Sequence, residues 1–178
     1  MQPQHYNKDG NKMRTVRTKV YQFSELSEQA KQKAIEVCAD YNVSYDWWQF
    51  TYEDAANIGL KITGFDIDRG SYCNGEFTLS AHEVAANIIR DHGELCETYK
   101  TAQSFLDTVN DIQGKYEELE GAEYEDEMIE AEDEFLKFLL EDYRIILKNE
   151  YEYQTSEEAI LETIQANEYE FKADGTRF

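Results

Sequence analysis

The sequence predicts an α+β fold: a small antiparallel sheet of about three to four strands, one of them in a bulged hairpin, packed by helices and followed by a long acidic helical half. Three observations carry this. Strand-like stretches with period-two alternation lie mainly in the front of the chain. Apolar residues at helical spacing recur from residue 24 onward. Finally, the net charge of −21 is unevenly spread, with −3 over residues 1–93 and −18 over residues 94–178.

The elements follow in order. RTVRTKVYQF (14–23) alternates, with Val16, Thr18 and Val20 on one face, and reads as a half-buried strand. In 24–42 Ser27 is the expected N-cap of a helix whose stripe is Ala30, Ala34, Val37, Cys38 and Tyr41. A second helix spans 45–60, begun by Ser44 and closed by Gly59, with Trp48, Tyr52 and Ala55 on one face and Trp47 pointing elsewhere. LKITGFDID (60–68) changes phase between Ile62 and Phe65, so a bulge at Gly64 keeps both pairs of apolar residues inward. Asn74-Gly75 gives a hairpin signal, and EFTLSA returns with Phe77 and Leu79 inward. HEVAANIIRDHG (82–93) reads as a short helix closed by Gly93 that buries Val84, Ala85, Ile88 and Ile89. Another helix, 98–112, has the stripe Tyr99, Ala102, Phe105, Leu106 and Val109. A long one, about 122–150, keeps Met128, Phe135, Phe138, Leu139, Tyr143 and Ile146 in register. Thr155 or Ser156 caps a last helix to about Gln165, and EYEFKADGTRF supplies a final strand and turn. As domains, residues 1–12 read as a flexible leader with Met13 as an alternative start, 13–112 as the α+β domain and 113–178 as an acidic helical extension packed on it.

Composition excludes several classes. A hydrophobic share of 41% with 13% aromatics suffices for a core and argues against disorder. The apolar runs are too short to span a membrane, and MQPQHYNKDGNKM lacks a secretory signal's apolar stretch. Cys38, Cys73 and Cys96 are an odd, unclustered set that suits a reducing compartment, and the expected location is a bacterial host cytoplasm. Glycine-loop, nucleophile-elbow and zinc signatures are missing, and no cofactor is expected. His5, His82 and His92 are scattered, and His92 with Cys96 lacks a second ligand pair. Asp66 and Asp68 share a strand face and could hold a divalent metal with Glu76 across the hairpin. No base or nucleophile accompanies them, so solvated aspartates are the favoured reading. Tyr45, Trp47, Trp48, Phe50 and Tyr52 could stack bases, but the adjacent charges are Asp46, Glu53 and Asp54, which disfavours it. Trp48 and Tyr52 therefore read as core, and Trp47 or Phe50 as an anchor for a protein partner.

The acidic run is the informative feature. Residues 117–134 hold Glu117, Glu118, Glu120, Glu123, Glu125, Asp126, Glu127, Glu130, Glu132, Asp133 and Glu134 without a single base. Like charges four apart destabilise a helix by about 0.2–0.5 kcal/mol per pair, so the run has a cost. As one helix it would span roughly 27 Å, with one charge per ~2.5 Å, against one per ~1.7 Å along duplex DNA. Such a rod would enter a cleft built for phosphates. The bland alternative is a solubilising linker, with Gly114 and Gly121 permitting a break, although the apolar spacing from Met128 onward argues that the second part is ordered.

The segments VYQFSELSEQAKQKAIE, YDWWQFTYEDAANIGLKITGFDIDRG and GEFTLSAHEVAANII resemble a family of small proteins encoded by phages and mobile elements. These are labelled antitoxins of toxin–antitoxin stability systems, a kind of group to which anti-CRISPR proteins directed against Cas9 are similar. The resemblance covers about residues 19–106 and brings no catalytic residues with it. Residues 115–172 lie outside it. An antitoxin's basic DNA-binding module is not matched here, where Arg14, Arg17 and Lys19 are the only basic patch. The expectation is a non-enzymatic inhibitor whose partner is a basic nucleic-acid-binding protein such as Cas9. The alternatives are an antitoxin-like partner of a basic toxin nuclease, or a metal-dependent enzyme using Asp66 and Asp68. Neither direct nucleic-acid contact nor a membrane is expected.

Overall fold

The computed structural model describes residues 17–116 and 121–178 and is α+β, with helices predominating over two separate two-stranded antiparallel ladders. The chain divides into two compact units. One is Val43–Gln154; the other joins the described residues up to Asn42 with Thr155–Phe178. This division departs from the linear partition at 112/113, because the last 24 residues return to pack with the first helix rather than extending the acidic half. Residues 1–12, expected as a leader, lie outside the described residues.

In the smaller unit, β1 (Tyr21–Gln22) leads through a 3₁₀ turn at Phe23–Glu25 to α1 (Glu28–Cys38). Ser27 caps α1 as expected, its hydroxyl accepting from the Ala30 amide at 3.3 Å. β1 is much shorter than the strand expected over 14–23: residues 17–20 join no ladder among the described residues, and 14–16 are not among them. Its partner is β4 (Glu170–Phe171), some 150 residues away, so only two residues find a ladder. Between them α6 (Glu157–Ala166) starts at Ser156, whose hydroxyl accepts from Ala159. Ala30, Ala34 and Cys38 of α1 meet Ile160, Ile164 and Phe171, while Val37 is exposed, not part of the stripe. Gly175, at φ +85°, lies so close to the Ala30 carbonyl that a Cβ there has no room. Arg177 lies 3.7 Å over the Tyr169 ring and 5.2 Å from Tyr41.

The larger unit contains α2 (Gln49–Ile58), β2 (Leu60–Asp66), β3 (Tyr72–Phe77), α3 (Ala81–Asp91), α4 (Glu97–Tyr116) and α5 (Ala122–Gln154). α2 begins at Gln49, not near Ser44, because residues 41–43 form their own 3₁₀ turn. It ends at Gly59, in the left-handed region at φ 94° as its place after the helix requires. The β2–β3 register slips between Ile62 and Gly64, leaving Thr63 as the extra residue. That bulge lets Leu60, Ile62 and Phe65 all turn towards the helices.

The hairpin turns at Asp68–Gly70, and the Asn74-Gly75 turn expectation is wrong. Gly75 sits inside β3 for a packing reason: a Cβ would lie 2.7 Å from the Lys61 carbonyl and 2.9 Å from Leu140. α3 starts with a full capping box between Ser80 and Glu83. Its C-cap is His92 in extended conformation, with Gly93 not required to cap it. α4 and α5 form an antiparallel hairpin in which Phe105 stacks on Phe135 at 4.4 Å and Thr101 meets Asp142. Ala131, Phe135, Leu139, Tyr143 and Leu147 are the buried row of α5. Phe138 and Ile146, expected in that row, are 52% and 38% exposed instead, because strict four-residue spacing carries the buried row past them.

Candidate functional site

The first turns of α5 are where the acidic run acquires geometry. A helix can put Glu123 and Glu125 against its own N-terminal dipole at some gain, but the carboxylates beyond the first turn have no such help. Glu123, Glu125, Asp126, Glu130, Glu132, Asp133 and Glu134 are all exposed, and Glu127 is half-buried. At 100° per residue the seven exposed ones cover the arc opposite Tyr124, Met128 and Ala131, which face the core. Among the described residues, no Lys or Arg forms an ion pair with any of these seven. Ile129, 58% exposed, stands in their midst.

The described residues divide the run between elements. α4 ends at Tyr116 and α5 begins at Ala122, with Gly121 at φ 21° just before it. Glu117, Glu118 and Glu120 lie outside the described residues. The helical part, Glu123–Glu134, holds eight carboxylates over about 18 Å, one per ~2.3 Å, still close to the density along a duplex.

The aromatic group before α2 is organised differently from expectation. Trp47 does not point away from its neighbours: its ring lies 5.6 Å from Trp48, 5.7 Å from Phe65 and 5.5 Å from Tyr151. Edge-on packing of this kind half-buries Trp47, Trp48 and Tyr52 around Phe65. Phe50, 83% exposed, and Tyr45 are the aromatics left to solvent.

The carboxylates considered for a metal are not brought together. Asp66 ends β2 opposite Tyr72 and accepts the Asp68 amide at 2.7 Å, closing the turn. Glu76 lies further along the hairpin opposite Lys61 and pairs with it at 2.7 Å, which also draws its carboxyl down. An ion pair across the ladder has taken the ligand that Asp66 and Asp68 would have needed. Among the described residues no group of three His, Cys, Asp or Glu side chains could hold a metal ion.

One polar cluster was not foreseen. The Tyr143 hydroxyl donates to Asp54 at 2.7 Å, and the other Asp54 oxygen lies 3.6 Å from His92 Nε2. His92 Nδ1 is 2.7 Å from the Thr98 hydroxyl. Nearby, the Thr101 hydroxyl donates to Asp142 at 2.7 Å. The contacts of His92 and Tyr143 hold the Asp54 carboxyl below its ordinary value, whereas burial pushes that of Asp142 up. Burial and the facing Asp54 carboxylate push the Tyr143 phenol far up, so it serves only as a donor. Asp54 and Tyr143 are 89 residues apart, and no local pattern links them. Cys96 is exposed near this cluster, whereas Cys38 is buried and the Cys73 thiol is pushed up to about 11 by burial.

No helix among the described residues is long and apolar enough to cross a membrane. No family model, curated protein or solved structure matches this sequence. The resemblance of residues 19–106 therefore bears on function only as a proposal.

Proposed function

We propose that the chain is a non-enzymatic inhibitor of phage type that acts in a bacterial cytoplasm. It binds a basic nucleic-acid-handling protein and denies nucleic acid its channel, with Cas9 as the specific target to test first. The observation that carries this reading is the outward arc of seven exposed carboxylates on α5, held on an ordered helix and unpaired among the described residues. A fixed anionic array approaches a cationic cleft without the ordering cost that a flexible acidic tail would incur. Counterions released from the partner's Lys and Arg would favour association, as they do when DNA binds. Ile129 within the arc, and Phe50 and Tyr45 elsewhere on the unit, add apolar contact that a nucleic acid would not supply.

The test is competition between the purified chain and target DNA for guide-loaded Cas9 at several salt concentrations. The expected result is displacement of DNA with an affinity that falls steeply as salt rises, and its loss in the variant E130Q/E132Q/D133N/E134Q. Affinity indifferent to salt would rule out electrostatic competition. Growth rescue on co-expression with a basic toxin nuclease, without any effect on Cas9, would reassign the same surface to toxin neutralisation.

A further inference from the structure

β2 and β3 form a two-stranded ladder, so among the described residues β3 has a strand on one side only. The Thr78 amide donates to the Gly59 carbonyl at 2.8 Å, which turns the Thr78 backbone towards β2. The extra residue of the bulge lies in β2, so alternation along β3 is unbroken. It turns Glu76 and Asn74 towards β2 and leaves the N–H and C=O of Phe77, Gly75 and Cys73 on the open edge. Among the described residues no turn, loop or side-chain hydrogen bond takes these groups up. Such an edge is a template for a further strand, and β3 carries neither the proline nor the lysine that commonly guards one. Beside the edge lies a groove of about 600 Å³, lined by Ser71, Cys73 and Asn74 and, from α5, by Leu136, Leu140 and Arg144. Leu136 and Leu140 are half-buried, which leaves apolar surface for an entering side chain. The two ends of the groove differ. Arg144 closes one, gripping Glu141 at 2.6 and 2.7 Å and donating to the Ser71 hydroxyl at 2.8 Å. At the other, where Phe77 meets Phe135, stands Asp133, exposed and without an ion pair among the described residues. At 100° per residue Asp126, Glu130, Asp133, Leu140 and Arg144 fall within one arc of about 80°, so the groove leads into the acidic face of α5.

We propose that the open edge of β3 takes an extended segment of a basic protein as an added antiparallel strand. Its alternate apolar side chains enter between β3 and α5, and the basic residues that precede them pass over Asp133, Glu130 and Asp126. Main-chain bonds to the edge supply affinity, and the groove selects the side chains. Residues opposite Cys73, Gly75 and Phe77 turn their N–H groups to β3 and their side chains to Leu136 and Leu140, because opposed residues of a ladder share a face. Charge decides the occupant. A second copy would bring its own acidic run and a net charge of −21 to the same edge, whereas a basic segment is drawn there. That the segment belongs to the protein denied nucleic acid rests on the proposed function; the edge and its groove stand without it.

The experiment is amide hydrogen exchange, read by NMR, on the full chain titrated with the peptide acetyl-Arg-Lys-Val-Thr-Val-Thr-Val-amide. Saturable binding with new protection of the Cys73 and Gly75 amides is expected. N-methylation of every valine removes the donors aimed at β3 and should weaken binding about tenfold or more; the change is made in the peptide, so the chain's own folding is untouched. Glutamine in place of the two basic residues should weaken binding several-fold and remove its dependence on salt, as E130Q/E132Q/D133N/E134Q should for the basic peptide. Equal affinity of the methylated peptide, binding that leaves Cys73 and Gly75 unprotected, or no binding would each overturn the proposal. Protection already present in the free chain would overturn it too, in favour of a second copy if sedimentation gives twice the monomer mass and of the chain's own segments if it does not. Should the natural chain displace DNA from guide-loaded Cas9 while the peptide leaves these amides unprotected, strand addition fails and electrostatic competition survives. Protection by the peptide with no effect on Cas9 supports the open edge and overturns the competition instead.

Discussion

From Ala122 to Glu134, α5 exposes seven of its eight carboxylates and, of its described side chains, buries only Ala131. From Phe135 to Gln154 the same helix buries Phe135, Leu139, Tyr143 and Leu147 and pairs Glu141 with Arg144 and Glu152 with Lys148. The two halves share a backbone and divide the work. Propagating an existing helix is far easier than nucleating one, so the packed half supports a turn-by-turn extension whose own side chains repel. The unfavourable charge density thus persists at fixed geometry because its stability comes from elsewhere.

The largest effect expected from breaking this arrangement lies in the packed half. Leu139→Ala removes a fully buried side chain from the centre of the core and should destabilise the larger unit by about 3 to 5 kcal/mol, read from denaturant midpoints. In the acidic half the sign should reverse. E130Q/E132Q/D133N/E134Q relieves the repulsions Asp126–Glu130 and Glu130–Glu134, and should stabilise by a few tenths of a kcal/mol per pair. That gain should shrink as salt is added; a loss of stability would mean these carboxylates make favourable contacts.

The smallest effect is one of pH. Burial pushes the Asp142 carboxyl above its ordinary 3.8, the Thr101 hydroxyl opposes this, and the Glu97 and Glu141 charges add to it. With the folded value raised, the destabilisation is absent below the unfolded value and complete once pH exceeds the folded one. Asp142→Asn should therefore melt higher than the natural chain near neutral pH, with the difference vanishing below about pH 4. A constant difference across that range would show that Asp142 acts through packing alone.

Much of the helical architecture was legible locally. Ser27 and Ser156 mark helix starts because a hydroxyl is the nearest group able to satisfy a first-turn amide. Gly59 marks an end because few other residues enter the left-handed region cheaply. The phase change from Ile62 to Phe65 announced the bulge, and the concentration of carboxylates after residue 116 located the candidate surface. These are short-range consequences of backbone geometry and side-chain chemistry, and the sequence alone determined them.

Tertiary contact decided the rest. Asn74-Gly75 has the chemistry of a turn, but Leu140 from α5 needs the space of a missing Cβ, and the pair became strand. Trp47 reads as a free aromatic until Phe65 and Tyr151 close around it. The β1–β4 ladder and the meeting of Asp54, His92 and Tyr143 join residues many turns of chain apart, whose proximity has no periodic signature. Local rules set what each segment prefers; burial and hydrogen bonding among distant segments choose which preferences survive, because only a packed neighbour can compensate a group that has left water.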